Sequence, residues 1–138
     1  MIYCLDTNIC IYFLNNTHSG IYDRLRVIPR GSIKIPSVVA GELYYGAAKS
    51  AKREYNLRVY SEFIAMYDII PFDLMSSRVY GDIRAALEKR GQPIGGNDMM
   101  IAASALCFGA VLVTNNVREF SRVDGLFIED WTQGANQA

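Results

Sequence analysis

With 138 residues and a hydrophobic fraction of 51%, the chain is long enough to bury one core and too short for two ordinary domains. No apolar run approaches the roughly 20 residues of a membrane span, and residues 1–6 lack the basic start and long apolar stretch of a signal peptide, so we expect a cytoplasmic protein without membrane contact. The 14 basic residues balance the 14 acidic ones, and three cysteines without a closely spaced pair argue for buried thiols and against disulfides or a zinc site.

Apolar periodicity predicts strands that alternate with helices. In chain order we expect a strand at 2–5, helices at 8–15 and 21–28, a strand at 32–35, helices at 37–48 and 52–67, a strand at 69–72, helices at 74–90 and 99–108, and strands at 110–113 and 127–128. Apolar strands separated by helices indicate a parallel sheet covered on both faces. The predicted fold class is α/β, a three-layer sandwich with a central parallel sheet flanked by helices. It forms one domain over 1–133, with a frayed tail at 134–138.

Polar and acidic residues follow the predicted strands. In parallel α/β folds, ligands bind beyond the carboxyl ends of the strands. Asp6 directly follows the first strand, Glu42 lies in the helix after the second, and Thr114 to Asn116 follow the fourth. Asp98 lies in the first turn of the helix before the fourth strand. Taken alone, Asp6 could merely cap a helix and Asp98 could merely complement a helix dipole.

Glu42 is harder to explain without a ligand. It is the only charged residue from Ile35 to Ala48, and no lysine or arginine lies within one helical turn of it. A carboxylate on an apolar helix is costly to bury unpaired, and a cation shared with other carboxylates would balance its charge. Carboxylate, amide and hydroxyl oxygens favour Mg²⁺ or Mn²⁺ over Zn²⁺. An ordinary surface glutamate is the alternative.

The sequence lacks the signatures of other catalytic machinery. It contains no GxxxxGK[ST] loop and no GxGxxG after a strand, which disfavours nucleotide-binding folds. The single histidine, His18, lies in a polar turn where we expect it to be exposed. A Ser-His-Asp triad and a paired-histidine ribonuclease mechanism therefore have little support.

Basic residues concentrate in one part of the chain. Residues 24–58 contain eight lysines and arginines against two acidic residues, a local balance of +6. Such a stretch suits an anionic partner, and ordinary solvated helix faces are the alternative.

Four stretches of the sequence occur together in one known family. They are Leu-Asp-Thr-Asn at 5–8, Ile-Pro-Ser-Val-Val-Ala-Gly-Glu-Leu at 35–43, Pro-Ile-Gly-Gly-Asn-Asp at 93–98 with Ile-Ala-Ala at 101–103, and Leu-Val-Thr-Asn-Asn at 112–116 continuing to Phe120. In these stretches the chain resembles the PIN domain, and within it the VapC toxins of bacterial toxin–antitoxin pairs. The four occur in the expected order along the whole chain, which makes the resemblance specific and implies a PIN-like fold.

The resemblance implies roles for four residues. Asp6, Glu42 and Asp98 would be the catalytic acids and would bind the metal ion, and Asn116 would occupy a fourth metal-binding position where many relatives have aspartate. An amide at this position supplies an oxygen ligand without a charge. Glu119, one helical turn on, could supply that charge or could simply face solvent.

Three residues resemble those that support the site in this family: Thr7, Asn8 and Thr114 would orient the metal ligands. With RNA as the substrate, the basic stretch would hold the phosphate backbone, and tyrosine rings could stack on unpaired bases. The residues concerned are Lys49, Lys52, Arg53 and Arg58 for the backbone, and Tyr44, Tyr45 or Tyr55 for the bases. Core packing or partner contacts are the alternative for these tyrosines.

The activity implied by the resemblance is that of a Mg²⁺-dependent endoribonuclease, with Mn²⁺ as a plausible substitute, acting as the toxin of a toxin–antitoxin pair. A coordinated water of lowered pKa would attack the phosphodiester while a free carboxylate takes its proton. The implied partners are RNA, a VapB-like antitoxin whose C-terminal segment blocks the site, and a second copy of the chain in a homodimer.

Three other interpretations compete with this one. A phosphatase of the haloacid dehalogenase type needs a second aspartate at position 8, where Asn8 stands. A phosphoacceptor signalling domain needs a lysine after its last strands, and none follows Lys89. The third is a catalytically inactive PIN-like module that only binds RNA or a partner, and retention of all three acids argues against it.

Overall fold

Five short strands form one sheet. They are β1 (Tyr3–Leu5), β2 (Ile33–Pro36), β3 (Asp68–Ile70), β4 (Val111–Val113) and β5 (Ile128–Glu129). The computed structural model describes residues 1–133. Neighbouring strands are all parallel and follow the order β3-β2-β1-β4-β5, so the first strand of the chain lies at the centre of the sheet. The prediction of a parallel sheet is confirmed.

Seven α-helices flank this sheet within the described residues. They are α1 (Thr7–Leu14), α2 (Ser19–Val27), α3 (Ser37–Lys49), α4 (Arg53–Ala65), α5 (Leu74–Lys89), α6 (Gly96–Cys107) and α7 (Val117–Phe120). β4 is buried along its whole length and β1 over its last two residues, as is typical of strands covered on both faces. The fold is the predicted α/β three-layer sandwich.

Most element boundaries lie within two residues of the prediction, and two of the differences have identifiable causes. β3 ends at Ile70 and not at residue 72, because Pro71 has no N–H to donate and the N–H of Phe72 bonds to Ser37 Oγ at 3.1 Å. α6 begins three residues before the predicted start, since Gly96 already belongs to the helix that Gly95 caps. Helix α7 and a 3₁₀ turn at Arg30–Ser32 have no counterpart in the prediction.

The cysteines are part of the core. Cys4 and Cys10 are fully buried free thiols, and desolvation by burial raises the pKa of each, which keeps them protonated. Cys107 is also free and is half-buried. The prediction of buried thiols is confirmed for Cys4 and Cys10, whereas Cys107 is only half-buried.

The segment after β5 packs over α2. Trp131 is 1% exposed, and its ring centroid lies 5.4 Å from that of Tyr3. Its Nε1 donates to Glu129 Oε1 at 2.9 Å. Gly20 makes this packing possible, because a Cβ there would lie 2.7 Å from the carbonyl oxygen of Trp131 and closer still to that of Gln133.

Two further expectations concern the ends of the chain and the membrane. The frayed tail predicted at 134–138 lies outside the described residues. Among residues 1–133, no helix combines the length and the apolar character that crossing a bilayer requires.

Candidate active site

Four acidic residues lie near one another at the carboxyl ends of the central strands. Asp6 follows β1 directly, and Glu42 lies in the second turn of α3, which begins where β2 ends. Glu119 belongs to α7, which follows β4 after a short turn. Asp98, in the first turn of α6, lies close enough to the other three for their charges to act on it. The structure therefore brings the three predicted acids to one edge of the sheet, together with Glu119.

Asp6 is the most buried of these acids, with 6% of its surface exposed. One carboxylate oxygen accepts the backbone N–H of Thr7 at 2.8 Å, and the other accepts the hydroxyl of Thr114 at 2.7 Å. The first contact caps α1, so Asp6 combines the capping role with a place in the site. Burial raises the pKa of Asp6, the two hydrogen bonds lower it, and the charge of Glu42 raises it again.

Thr7 joins Asp6 to Glu42. Its backbone N–H binds Asp6, while its hydroxyl donates to Glu42 Oε1 at 2.6 Å. The amide nitrogen of Asn97 approaches the other oxygen of Glu42 at 3.5 Å, the outer limit of a hydrogen bond. The Glu42 carboxylate therefore accepts hydrogen bonds from neutral donors only. Among residues 1–133, no lysine or arginine forms a salt bridge with it.

The surroundings of Asp98 show how concentrated the negative charge is. Its side chain is half-buried, and desolvation raises its pKa to about 6, with further increases from the charges of Asp6, Glu42 and Glu119. The four salt bridges among the described residues all lie elsewhere. A group of carboxylates without a basic partner is the electrostatic environment that a divalent cation stabilises.

Asn116 lies between Thr114 and Glu119. Its backbone N–H donates to Thr114 Oγ at 3.0 Å, and its amide nitrogen donates to Glu119 Oε2 at 3.2 Å. Thr114 thereby connects Asn116 to Asp6 through a single hydroxyl. Asn8 is placed differently: it is exposed, and its side chain makes no hydrogen bond in the described part of the chain.

The four acids supply the kind of ligand atom that a hard divalent cation prefers. Their side chains are not, however, arranged to coordinate one. Within residues 1–133, no three His, Cys, Asp or Glu side chains converge closely enough to hold an ion as they stand. Their carboxylate oxygens are nevertheless the ligands that Mg²⁺ and Mn²⁺ prefer. Desolvation is the main cause of the raised pKa values of Asp6 and Asp98, and the neighbouring negative charges, which such an ion would offset, raise them further. To share one ion, the carboxylates must turn towards one another.

The basic residues expected to bind RNA lie outside this group of acids. Lys49 ends α3, Lys52 precedes α4, and Arg53 and Arg58 belong to the first half of α4. All four are exposed, and none forms a salt bridge within the part of the chain that the structure describes.

Sequence reasoning does not predict that Tyr12 contacts the turn after β4. Asn115, in the turn after β4, donates its amide nitrogen to the Tyr12 hydroxyl at 3.2 Å. The ring of His18 packs on Tyr12 with centroids 4.5 Å apart, so His18 is half-buried and the expectation that it is exposed is wrong. The available signal is helical spacing, since Tyr12 stands four residues after Asn8 on α1.

Comparisons with known proteins point to one family. The family model described as PIN domain matches residues 3–126. Ribonuclease VapC2 of Rickettsia felis is 42% identical over 132 residues, which are 95% of this chain and 98% of that protein. The tRNA(fMet)-specific endonuclease VapC of Shigella flexneri is 42% identical over 130 residues, which are 94% of this chain and 98% of that protein.

A solved structure agrees with these relatives. The crystal structure of VapBC2 from Rickettsia felis, bound to a DNA fragment from their promoter, matches with a TM-score of 0.88 and 41% identity, over 95% of this chain and 99% of that chain. The family model at residues 3–126 includes Asp6, Glu42, Asp98 and Glu119. The chain therefore belongs to the PIN domain family and, within it, to the VapC proteins.

Proposed function

We propose that this chain is a divalent-metal-dependent endoribonuclease that hydrolyses RNA phosphodiesters and acts as the toxin of a toxin–antitoxin pair. The observation that carries the proposal is the group of four acids at one edge of the sheet, which no lysine or arginine of residues 1–133 balances. RNA is the proposed substrate because the relatives are a ribonuclease and a tRNA(fMet)-specific endonuclease, each matched over nearly its whole length.

Asp6, Glu42 and Asp98 would hold the ion, with the amide oxygen of Asn116 as a further ligand. Mg²⁺ is the proposed ion and Mn²⁺ a substitute, because both accept carboxylate and amide oxygens. When bound, the ion lowers the pKa of the attacking water and offsets the charge that develops on the phosphate. Thr7 and Thr114 fix the orientation of the carboxylates through their hydroxyls. A carboxylate oxygen that does not contact the ion can take the proton of the attacking water.

The proposed partners are an antitoxin and a second copy of the chain. The matched Rickettsia felis structure is a VapBC2 complex, which supports a VapB-like antitoxin for this chain. The C-terminal segment of the antitoxin would lie across the four acids and block them. The homodimer would form through helices that flank the sheet, and one domain over 1–133 would contain everything that catalysis requires.

Incubation of the pure protein with total RNA, with Mg²⁺ or with chelator, tests the activity. We expect cleavage only with Mg²⁺, and none for Asp6→Asn, Glu42→Gln or Asp98→Asn, each of which keeps the size of the side chain and removes its charge. Glu88→Gln is the matched control, because Glu88 pairs with Arg84 on the surface of α5. It should cleave RNA like the wild type.

The ends of the cleaved RNA test the chemistry. Attack by water is expected to leave 5′-phosphate and 3′-hydroxyl ends. Terminal 2′,3′-cyclic phosphates would instead mean attack by the neighbouring ribose hydroxyl, and they would contradict the proposed mechanism. Binding of RNA without any cleavage when Mg²⁺ is present would favour the catalytically inactive PIN-like module.

A further inference from the structure

Basic and aromatic side chains cover the junction of α3 and α4, outside the candidate active site. They are Tyr45, Lys49, Lys52, Arg53, Tyr55 and Arg58, which we name the α3–α4 strip. All six are exposed, and the two tyrosines keep 65% and 55% of their surfaces open to solvent. Glu54 is the only acidic residue from position 45 to position 58. Because none of the four cations forms a salt bridge within residues 1–133, the strip carries uncompensated positive charge.

Helix α3 connects the strip to the four acids. Glu42, Tyr45 and Lys49 follow one another at intervals of three and four residues, the spacing that places side chains on one side of a helix. At a rise of 1.5 Å per residue, Lys49 lies about 10 Å along the helix axis from Glu42. A polynucleotide that is bound at Glu42 and follows α3 therefore meets Tyr45 first and then the cations.

Each tyrosine of the strip has one of the four cations over one face of its ring. Lys49 Nζ lies 4.7 Å from the ring centroid of Tyr45, and Arg58 Cζ lies 5.7 Å from that of Tyr55. An exposed ring beside a cation offers a surface for a base to stack on and a charge for the adjoining phosphate. Within a duplex the base faces are covered by their neighbours, so this arrangement suits an unpaired strand.

Gly46 follows Tyr45 in the interior of α3. A Cβ built on Gly46 meets no heavy atom within 4 Å, so packing inside the protein does not require glycine there. Glycine is nevertheless less stable than alanine in the interior of a helix. A strand that follows α3 would meet no side chain at this position.

We propose that the α3–α4 strip binds a single-stranded segment of the RNA substrate beside the bond that is cut. Unpaired bases stack on Tyr45 and Tyr55, and the four cations hold the phosphates. The inference rests on the proposed ribonuclease function, because it takes the substrate to be RNA that also reaches Glu42. The positive charge alone would also attract an acidic protein segment, but the two exposed rings beside cations favour a ligand in which flat bases alternate with phosphates.

Binding of RNA in excess chelator tests the strip without cleavage. The probe is a fluorescently labelled single-stranded RNA of about 12 nucleotides, followed by anisotropy. Tyr45→Ala should weaken binding about tenfold, the loss expected for one stacked base, and Tyr45→Phe should bind like the wild type because its ring still stacks. A duplex of the same sequence should bind both variants equally.

Tyr22→Ala is the matched control. Tyr22 is 50% exposed on α2, with Arg26 Cζ 6.0 Å from its ring centroid, so it forms the same kind of pair. It lines a depression with Ile33, which begins β2, whereas the four acids lie where the strands end. We expect this variant to bind single-stranded RNA like the wild type.

The cations are tested by the dependence of binding on salt. Each phosphate contact that is removed should lower the slope of log affinity against log salt concentration by about 0.7 for a single strand. The variants are Lys49→Ala, Lys52→Ala, Arg53→Ala and Arg58→Ala, singly and combined.

Several results would overturn the proposal. One is that Tyr45→Ala binds single-stranded RNA as tightly as the wild type, and another is that Tyr45→Phe loses as much affinity as Tyr45→Ala. The others are that Tyr45→Ala loses as much affinity for the duplex as for the single strand, and that the combined variant keeps the salt slope of the wild type. Normal RNA binding by all these variants would assign the strip to an acidic protein segment instead. Failure of the ribonuclease function looks different: the wild type would bind single-stranded RNA through Tyr45 and yet cleave none with Mg²⁺, which supports the strip and rejects the nuclease.

Discussion

The carboxyl group of Asp98 has a pKa of about 6, raised from 3.8, chiefly because it is desolvated and also because three other carboxylates lie near it. Between these two values the folded protein holds a proton that the unfolded chain has released. The free energy of unfolding therefore falls as pH rises from about 4 to about 6. Because the side chain is half-exposed, solvent screening limits the effect to about 1 kcal/mol.

Asp98→Asn removes the group that titrates, so in chelator the mutant should lack this part of the pH dependence. Urea unfolding of both proteins at several pH values between 4 and 7 measures the free energy of unfolding as a function of pH. The difference between the wild-type and mutant curves isolates the contribution of Asp98 from that of the other acids. If the two proteins lose stability in parallel over this range, Asp98 does not carry the effect.

At the scale of elements, the two glycines Gly46 and Gly81 make a matched pair. Each lies inside a long helix, α3 or α5, and a Cβ on either meets no heavy atom within 4 Å. Alanine at either position should raise the free energy of unfolding by about 0.5–1 kcal/mol, because it restricts the unfolded chain and suits the helix better. Thermal unfolding should show both variants melting a few degrees higher than the wild type.

The two alanine variants should differ in RNA binding. Gly46→Ala should weaken binding to single-stranded RNA, because its methyl group occupies space next to Tyr45 on the α3–α4 strip, whereas Gly81→Ala should not. Anisotropy in chelator makes the comparison. Equal RNA affinity of the two variants would mean that nothing approaches α3 closely at Gly46.

The sequence predicts some boundaries of helices and strands better than others, and the reason is physical. Six of the seven helices could be predicted because helix boundaries depend largely on neighbours in sequence, as with Pro36 and Ser37 at the start of α3. The end of β3 could not be predicted correctly, because the backbone N–H of Phe72 donates to Ser37, which is 35 residues away. A periodic pattern contains no information about such a partner.

In the candidate site, too, the sequence predicts positions along the chain but not the long-range hydrogen bonds. The sequence pattern places Asp6 and Glu42 just beyond strand ends, because parallel strands bring such positions to one edge. It does not indicate that Thr7 donates to Glu42 or that Thr114 donates to Asp6, because these contacts join residues 35 and 108 positions apart. The role of each acid in metal binding stays a prediction.

At the scale of the whole molecule, the four acids should link folding stability to metal concentration. Besides desolvation, the charges of Asp6, Glu42 and Glu119 raise the pKa of Asp98, so a cation bound among these carboxylates would relieve their repulsion. A ligand that binds only the folded state stabilises it by about 2.7 kcal/mol at a hundred times its dissociation constant. Mg²⁺ should therefore raise the melting temperature of the wild type.

Asp98→Asn should melt at a higher temperature than the wild type in chelator and should gain less from Mg²⁺. Differential scanning calorimetry of both proteins, with and without Mg²⁺, makes the test. If Asp98 acts only as a favourable charge in the first turn of α6, the mutant should instead lose about 0.3–1 kcal/mol and respond to Mg²⁺ like the wild type. That result would remove Asp98 from the metal site.

The long-range contact between Thr114 and Asp6 also determines when the site can exist during protein synthesis. β1 is made first and lies between β2 and β4, so the central strand waits for its second neighbour until residues 111–113 have been added. Asp6, Glu42 and Asp98 are all in the growing chain before then, but the hydroxyl that holds Asp6 is not. Until Thr114 has been added, the growing chain therefore carries all three acids without the hydroxyl that orients Asp6.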